Sequence, residues 1–283
     1  MRAILVLSLT MIFFGSELFA GGHSSTLQDV KARGKLRCVV TTGLPGFAAP
    51  DANGVWRGFD WDFCRATAAA VLGDANAVDP ITSTGKTRFT KLNAGEGDVL
   101  WRNTTITFSR DVSVKLRFLG VNYYDGQGFM VNKSLGVSSA KELDGASVCI
   151  QTGTTTELNL ADYFSSNNMS YEAVTIETND EARQNYEAGR CDIYTTDASG
   201  LASTRSSLPN PNDHMVLPEI ISKEPLGPAV RQGDDAWADI ITWVLAATIT
   251  AEELGVNSSN VDQMKNSNNP EIRRMLGTDG SQG

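Results

Sequence analysis

Two polar clusters in this chain carry residue types suited to holding a small charged molecule. The first runs Arg102-Asn103-Thr104-Thr105 and on through Ile106-Thr107-Phe108-Ser109-Arg110-Asp111. It combines hydroxyls, backbone amides and a guanidinium, whose planar fork matches a carboxylate while Thr adds shorter bonds. The same stretch also reads as a surface loop in which Arg110 pairs with Asp111 or another acid. The second cluster is Gln151-Thr152-Gly153-Thr154-Thr155-Thr156. It stands at the start of a predicted helix, where free N–H groups both need capping and attract an anion. Asp197 opposes a cation such as an ammonium, or else caps Ala198-Ser199-Gly200-Leu201. Taken together, one part of the chain offers Arg110 and Thr105 and another offers Thr155 and Asp197, an anion site beside a cation site. That is the complement of a free α-amino acid. The two halves fall in different parts of the chain, so a ligand that satisfies both favours a closed arrangement of the protein.

The elements that position these clusters alternate. Leu36–Val40, Val99–Trp101 and Ala146–Ile150 read as short buried strands. Asp60 is the expected N-cap of a helix through Leu72, stopped by Gly73. Further helices are expected over Thr87–Asn93, Thr154–Phe164 (with Thr154 and Glu157 as a capping box) and Glu181–Ala188. One phrase occurs twice. Ala94-Gly95-Glu96-Gly97-Asp98-Val99-Leu100 leads into the polar Arg102–Thr105, and Ala188-Gly189-Arg190-Cys191-Asp192-Ile193-Tyr194 leads into the polar Thr195-Thr196-Asp197. Such alternation predicts α/β units with parallel strands, which bind ligands beyond the carboxyl ends of the strands. Chance similarity of two αβ turns is the alternative account of the repeat.

The chain has 283 residues, the length of two modest domains, and is 41% apolar and 20% charged, which excludes a disordered or fibrous protein. Its 24 Lys and Arg against 33 Asp and Glu leave a net charge of −9, which repels phosphate backbones and argues against nucleic-acid partners. The two histidines, His23 and His214, have no metal-ligand spacing to each other or to the cysteines, so no metal or cofactor is expected. Met1-Arg2, an apolar run from Ala3 to Gly15 and small residues around Ala20-Gly21-Gly22 form a secretory leader over 1–22, with cleavage after Ala20 or Gly22. Export makes disulfides expected. Cys38, Cys64, Cys149 and Cys191 allow three pairings; spacing favours 38–64 and 149–191, and four separate buried thiols are the alternative. Ala236–Ile249 is too short to span a membrane, and its Trp237, Ile240, Ile241, Val244 and Leu245 predict a helix face on a core.

Longer stretches resemble a known family. Among them are Gly58-Phe59-Asp60, Asp62–Ala66, Arg102–Thr105, Tyr123–Val131, Gly153–Asp162, Gly189–Asp192, Thr195–Leu201, Leu217–Pro228 and Asn269–Arg274. They resemble the general L-amino-acid-binding periplasmic proteins, solute-binding components of ABC transporters. The resemblance implies an α/β periplasmic-binding-protein type II fold. Residues 23–125 would form the first lobe, 126–222 the second, and 223–283 a return to the first with C-terminal helices. It implies a monomer in the periplasm whose partners are an L-amino acid and membrane permease subunits. Arg110, Thr105 and Thr155 would hold the ligand carboxylate; Asp197 and the carbonyl of Asn103 would take the ammonium. Leu44, Phe47, Gly85 and Trp101 would line the side-chain pocket. Ile106, where a Trp is expected, and Trp101, where a small residue is expected, depart from the pattern, as does Trp61. Two other readings stay open: a soluble sensor for a chemoreceptor or kinase, and a dehydratase using Asp197 or Asp62 as its acid.

Overall fold

The structure is a computed structural model that describes residues 25–279. The leader assigned to 1–22 and His23 lie outside the described residues.

The first lobe is built on a five-stranded sheet in the order Val78–Ser83, Leu36–Thr41, Val99–Leu100, Ala229–Arg231, Leu116–Phe118. The first three strands run parallel, and Ala229–Arg231 runs against both of its neighbours. The sheet is therefore mixed rather than wholly parallel. The chain reaches Ala229 from the other lobe, at the edge where the parallel strands end, so it must run back through the sheet. Alternation along Leu36–Thr41 divides the two cores. Val39 packs with Leu92, Leu100, Leu116 and Ala229 on one face. Cys38 and Val40 pack on the other, against Phe63, Cys64 and Ala68 of helix Phe59–Leu72 and Trp237, Ile241 and Leu245 of helix Asp235–Glu253. The latter helix buries the face that its sequence spacing predicted, except that Ile240 is only partly buried. Among the described residues no helix is long and apolar enough to cross a membrane.

The second lobe repeats the plan with the order Tyr171–Ile176, Ala146–Gln151, Ile193–Asp197, Gln127–Asn132, His214–Val216. Its first three strands are parallel, and Gln127–Asn132 is antiparallel to both of its neighbours. Disulfide Cys38–Cys64 joins strand Leu36–Thr41 to helix Phe59–Leu72, and Cys149–Cys191 joins strand Ala146–Gln151 to the turn before strand Ile193–Asp197, each within one lobe. The chain crosses between lobes on Tyr123–Asp125 and returns on Glu224–Leu226, and these two strands pair antiparallel as a hinge.

Two expected caps differ. Asp60 lies inside the first turn of helix Phe59–Leu72, whose N-cap is Gly58, and its carboxylate accepts the Asn103 N–H at 2.8 Å. A buried acid with a long-range backbone partner is better satisfied there than at its own helix end. The box at Thr154 is also incomplete. Thr154 Oγ1 donates to the Gln151 carbonyl at 2.7 Å, and Glu157 takes the Gly153 N–H at 3.1 Å. That leaves the first amides of helix Thr155–Ser166 without a side-chain cap from Thr154.

Candidate functional site

Both halves of the repeated phrase end at the same place, where the carboxyl edges of the two sheets face each other. In the first lobe, the loop Trp101–Thr107 leaves strand Val99–Leu100 and is pinned by Asp60 through Asn103. Burial pushes the Asp60 carboxyl up to about 6, against the pull of the Asn103 N–H and of Arg102. Thr107 then caps helix Phe108–Val112, accepting the Arg110 N–H at 3.3 Å. The cap aims the Arg110 side chain inward, where it is 6% exposed and donates from Nη1 to the Thr105 carbonyl at 2.7 Å. Arg110 does not pair with Asp111, as a simple surface loop would have it.

In the second lobe, Thr155 opens helix Thr155–Ser166, and its Oγ1 lies 3.4 Å from Thr105 Oγ1 of the first lobe. Asp197 ends strand Ile193–Asp197 at the N-cap position of helix Ala198–Ser206, yet its side chain makes no cap bond. Its carboxylate is 7% exposed and is left for another partner. Burial pushes it up to about 7; Asp125 and Glu224 add to that, while Arg88 and Arg110 oppose it. Arg110 and Asp197 therefore come from different lobes and share one buried electrostatic environment. Burial lowers Arg110 to about 10, opposed by Glu224 and Asp197.

Four charged groups of this region were not singled out as ligand contacts from the sequence. Arg88 is 2% exposed; its Nη1 donates to Thr104 Oγ1 at 3.1 Å and reaches the Asn103 carbonyl at 3.5 Å. Its guanidinium sits 4.8 Å from the centre of the Phe89 ring, with Arg110 at 5.2 Å from the same ring. Burial, then Arg102 and Arg110, push the Arg88 pKa down. Arg102 is lowered to about 10, chiefly by burial. Asp60 and Glu224 are 1% and 2% exposed. Among the described residues, none of the ion pairs within 4.0 Å involves Arg88, Arg102, Arg110, Asp60, Asp197 or Glu224. Arg88 Nε, Arg102 Nε and Asn103 Oδ1 are buried without a hydrogen-bond partner. Helix Arg88–Asn93 is too short for its periodicity to reveal which face is buried, so Arg88 gave no signal.

The expected side-chain walls divide. Leu44 and Phe47 form a small buried cluster with Leu226. Phe47 also meets Phe59 and Tyr123 edge-on, with ring centres 6.2 and 5.7 Å away. Gly85 lies at the junction of the lobes: a Cβ there would stand 2.8 Å from Thr154 Cγ2 and 3.1 Å from the Thr152 carbonyl. Trp101 is not a wall. It is wholly buried in the first lobe's core, stacked on Phe63 at 4.4 Å, with its indole N–H bonded to Thr67 Oγ1 at 3.1 Å. A large ring at the end of a buried strand gains more from core contacts than from a polar cleft. Asp62 is exposed and pairs with Arg65 at 3.3 Å, away from this site. Among the described residues no group of metal-ligating side chains is assembled.

The lobes are shut against each other. Asn179 Nδ2 donates to Thr41 Oγ1 at 3.3 Å and to the Gly43 carbonyl at 3.4 Å, and Ser203 Oγ donates to the Pro45 carbonyl at 2.6 Å.

Comparison with known proteins identifies relatives of this chain. The family model for bacterial extracellular solute-binding proteins, family 3, matches residues 36–257. The glutamate/glutamine/aspartate/asparagine-binding protein BztA of Rhodobacter capsulatus is 61% identical over 277 residues, covering 96% of this chain and 82% of its own. The general L-amino acid-binding periplasmic protein AapJ of Rhizobium johnstonii is 58% identical over 269 residues, covering 94% of this chain and 79% of its own. A Brucella ovis ABC transporter periplasmic binding protein, solved with glutathione bound, aligns with a TM-score of 0.88 at 55% identity, over 91% of this chain and 81% of its own.

Proposed function

This chain belongs to the bacterial extracellular solute-binding proteins of family 3, and from that premise we propose that it is the amino-acid-binding component of an ABC transporter in the periplasm. It takes a free L-amino acid between its lobes and delivers it, unaltered, to a membrane permease. The observation that carries the reading is the meeting of Arg110 and Asp197, from opposite lobes, in one buried environment. The lobes divide near the hinge strands, at 23–125, 126–222 and 223–283, and a leader over 1–22 directs export. The protein works as a monomer without a nucleic-acid partner.

In this reading the α-carboxylate lies between the Arg110 guanidinium, the Thr105 hydroxyl and the first amide of helix Thr155–Ser166. Asp197 and the Asn103 carbonyl receive the α-ammonium. Arg88, held by neutral acceptors, faces the ligand's side chain and supplies donors to a carboxylate or an amide oxygen. Broad specificity follows, because both kinds of side chain present the same acceptor. The names of the relatives, one general and one for two acids and their amides, support it.

The test is calorimetric titration of the purified protein with L-glutamate, L-glutamine, L-aspartate, L-asparagine, L-arginine and glutathione, with recovery of the ligand afterwards. Binding of several free amino acids, recovered intact, is the expected result. Tight binding confined to acids without an α-ammonium, or recovery of an altered ligand, overturns the reading.

A further inference from the structure

Glu224 is the one charged residue of the hinge's return strand, Glu224–Leu226. It stands opposite Asp125 of the outgoing strand. Its two oxygens are held entirely by neutral donors. Thr155 Oγ1 gives Oε2 a bond of 3.0 Å, while Asn159 Nδ2 and Ser222 Oγ each give Oε1 a bond of 2.7 Å. Thr155 and Asn159 belong to the second lobe. The strand that carries Glu224 is tied instead to the first lobe's cleft loop, through Ile106 N–H to the Pro225 carbonyl at 2.8 Å and Gly227 N–H to the Thr104 carbonyl at 3.1 Å. Glu224 therefore bridges the two lobes, bonded to Thr155 and Asn159 of the second while its strand is tied to the first, within the electrostatic reach of Arg88, Arg110 and Asp197.

A buried charge held only by neutral donors keeps its field, and that field acts on any charge brought in beside it. The buried groups of the cleft set three guanidiniums (Arg88, Arg102, Arg110) against three carboxylates (Asp60, Asp197, Glu224), with half-buried Asp125 a fourth carboxylate beside Asp197. Removing the charge of Glu224 makes the field at the ligand's side chain more positive by one charge.

We propose that Glu224 is the specificity-determining residue for ligand charge: it offsets Arg88 so that amide and acid side chains are bound comparably. The proposal rests on the amino-acid reading above. Glutamine at this position separates charge from geometry. Its oxygen still accepts from Asn159 and Ser222, and its amide donates to Thr155 Oγ1, because a hydroxyl accepts as readily as it donates.

Calorimetry on the full chain with L-glutamate and L-glutamine tests this, comparing wild type, Glu224→Gln and Asn159→Ala. Glu224→Gln should shift the affinity ratio towards glutamate by on the order of ten-fold, the scale expected of one charge acting through a protein interior. Asn159→Ala, which removes a donor and keeps the charge, should weaken both ligands by a common factor and leave the ratio in place. A merely structural role for Glu224 predicts the common factor in both variants, and that result overturns the proposal. If Glu224→Gln does not fold, Glu224→Asp draws the charge back by one methylene. It should then shift the ratio in the same direction by a smaller factor, and an unmoved ratio counts against the proposal equally. Wild-type protein that binds no member of the amino-acid panel overturns the amino-acid reading and this proposal with it, and wild-type protein that binds other amino acids but neither of these two overturns this proposal alone. Wild-type binding with an unmoved variant ratio overturns this one alone.

Discussion

Thr105 Oγ1 and Thr155 Oγ1 approach to 3.4 Å, and they are the only hydroxyls that face each other directly across the two lobes among the hydrogen-bonded side chains of the described residues. Each belongs to a half-site that is incomplete alone. Thr105 also offers its carbonyl to Arg110, and Thr155 begins the helix whose first amides lack a cap from Thr154. The anion site is thus assembled by closure, and the following outcomes depend on that.

Arg110→Ala should weaken every amino acid, by about 2–5 kcal/mol, because the ligand carboxylate is left buried and unpaired. Arg110→Lys should recover little, since an ammonium has no planar fork. Calorimetry across the ligand panel measures both. Unchanged affinity in Arg110→Ala removes the carboxylate assignment.

Asp197 and Asp60 have carboxyls pushed up to about 7 and about 6 from an ordinary value of 3.8. Between roughly pH 4 and 7 the ligand-free folded state therefore holds protons that the unfolded chain has released, and stability falls as pH rises through that window. Asp197→Asn abolishes its share. The ligand-free variant should melt above wild type at about pH 8 and level with it near pH 4. The same variant should lose α-amino acids more than their deaminated analogues. Wild-type affinity should fall as pH drops below about 7, because the ammonium then competes with a proton for Asp197. Equal losses for amino acids and analogues would falsify the ammonium assignment.

Trp101→Ala should cost about 3–5 kcal/mol of stability, as large-to-small changes of buried aromatics do. The order of ligand preference should stay the same. Thermal melting and the ligand panel read the two separately. An altered preference with an unchanged melting temperature would return Trp101 to the cleft.

Gly85→Val should hinder closure without unfolding either lobe. A Cβ there already comes within 2.8 Å of Thr154 Cγ2, and a branched side chain adds methyl groups at the same junction. Ligand affinity should fall while the ligand-free melting temperature stays near that of wild type. X-ray scattering should show a less compact liganded protein. Wild-type compaction on binding would show that the Gly85 contact is dispensable.

Part of the strand and helix alternation could be read from the chain because those elements carry a local signature, whereas Val78–Ser83, Tyr171–Ile176 and the antiparallel strands Gln127–Asn132 and Ala229–Arg231 were not read. Leu36–Thr41 is a buried run, Gly73 and Gly189 punctuate helix ends, and the Asp235–Glu253 helix shows its apolar stripe. The repeated phrase located both half-sites for the same reason: strand ends followed by polar residues are a short-range pattern. Asp197 illustrates the limit. Its sequence context suits a helix cap equally well, and only the absence of a cap bond in the fold separates the two roles. Trp101 adjoins a cleft loop in sequence yet turns into the core, since the direction of a side chain at a strand end is settled by what packs against it.

The amino-acid sequence by itself determined the alternation of elements, the even set of cysteines, and the two polar edges with their opposite charges, because each depends on residues close together in the chain. Tertiary structure alone decided which charges are buried together. Nothing local to Arg88, Asp60 or Glu224 reveals that they share one buried site, and they acquire that place only when two sheets, a hinge and a closed boundary exclude water from all of them at once. Burial is a property of the assembled surface, and the field it creates between distant residues has no local trace.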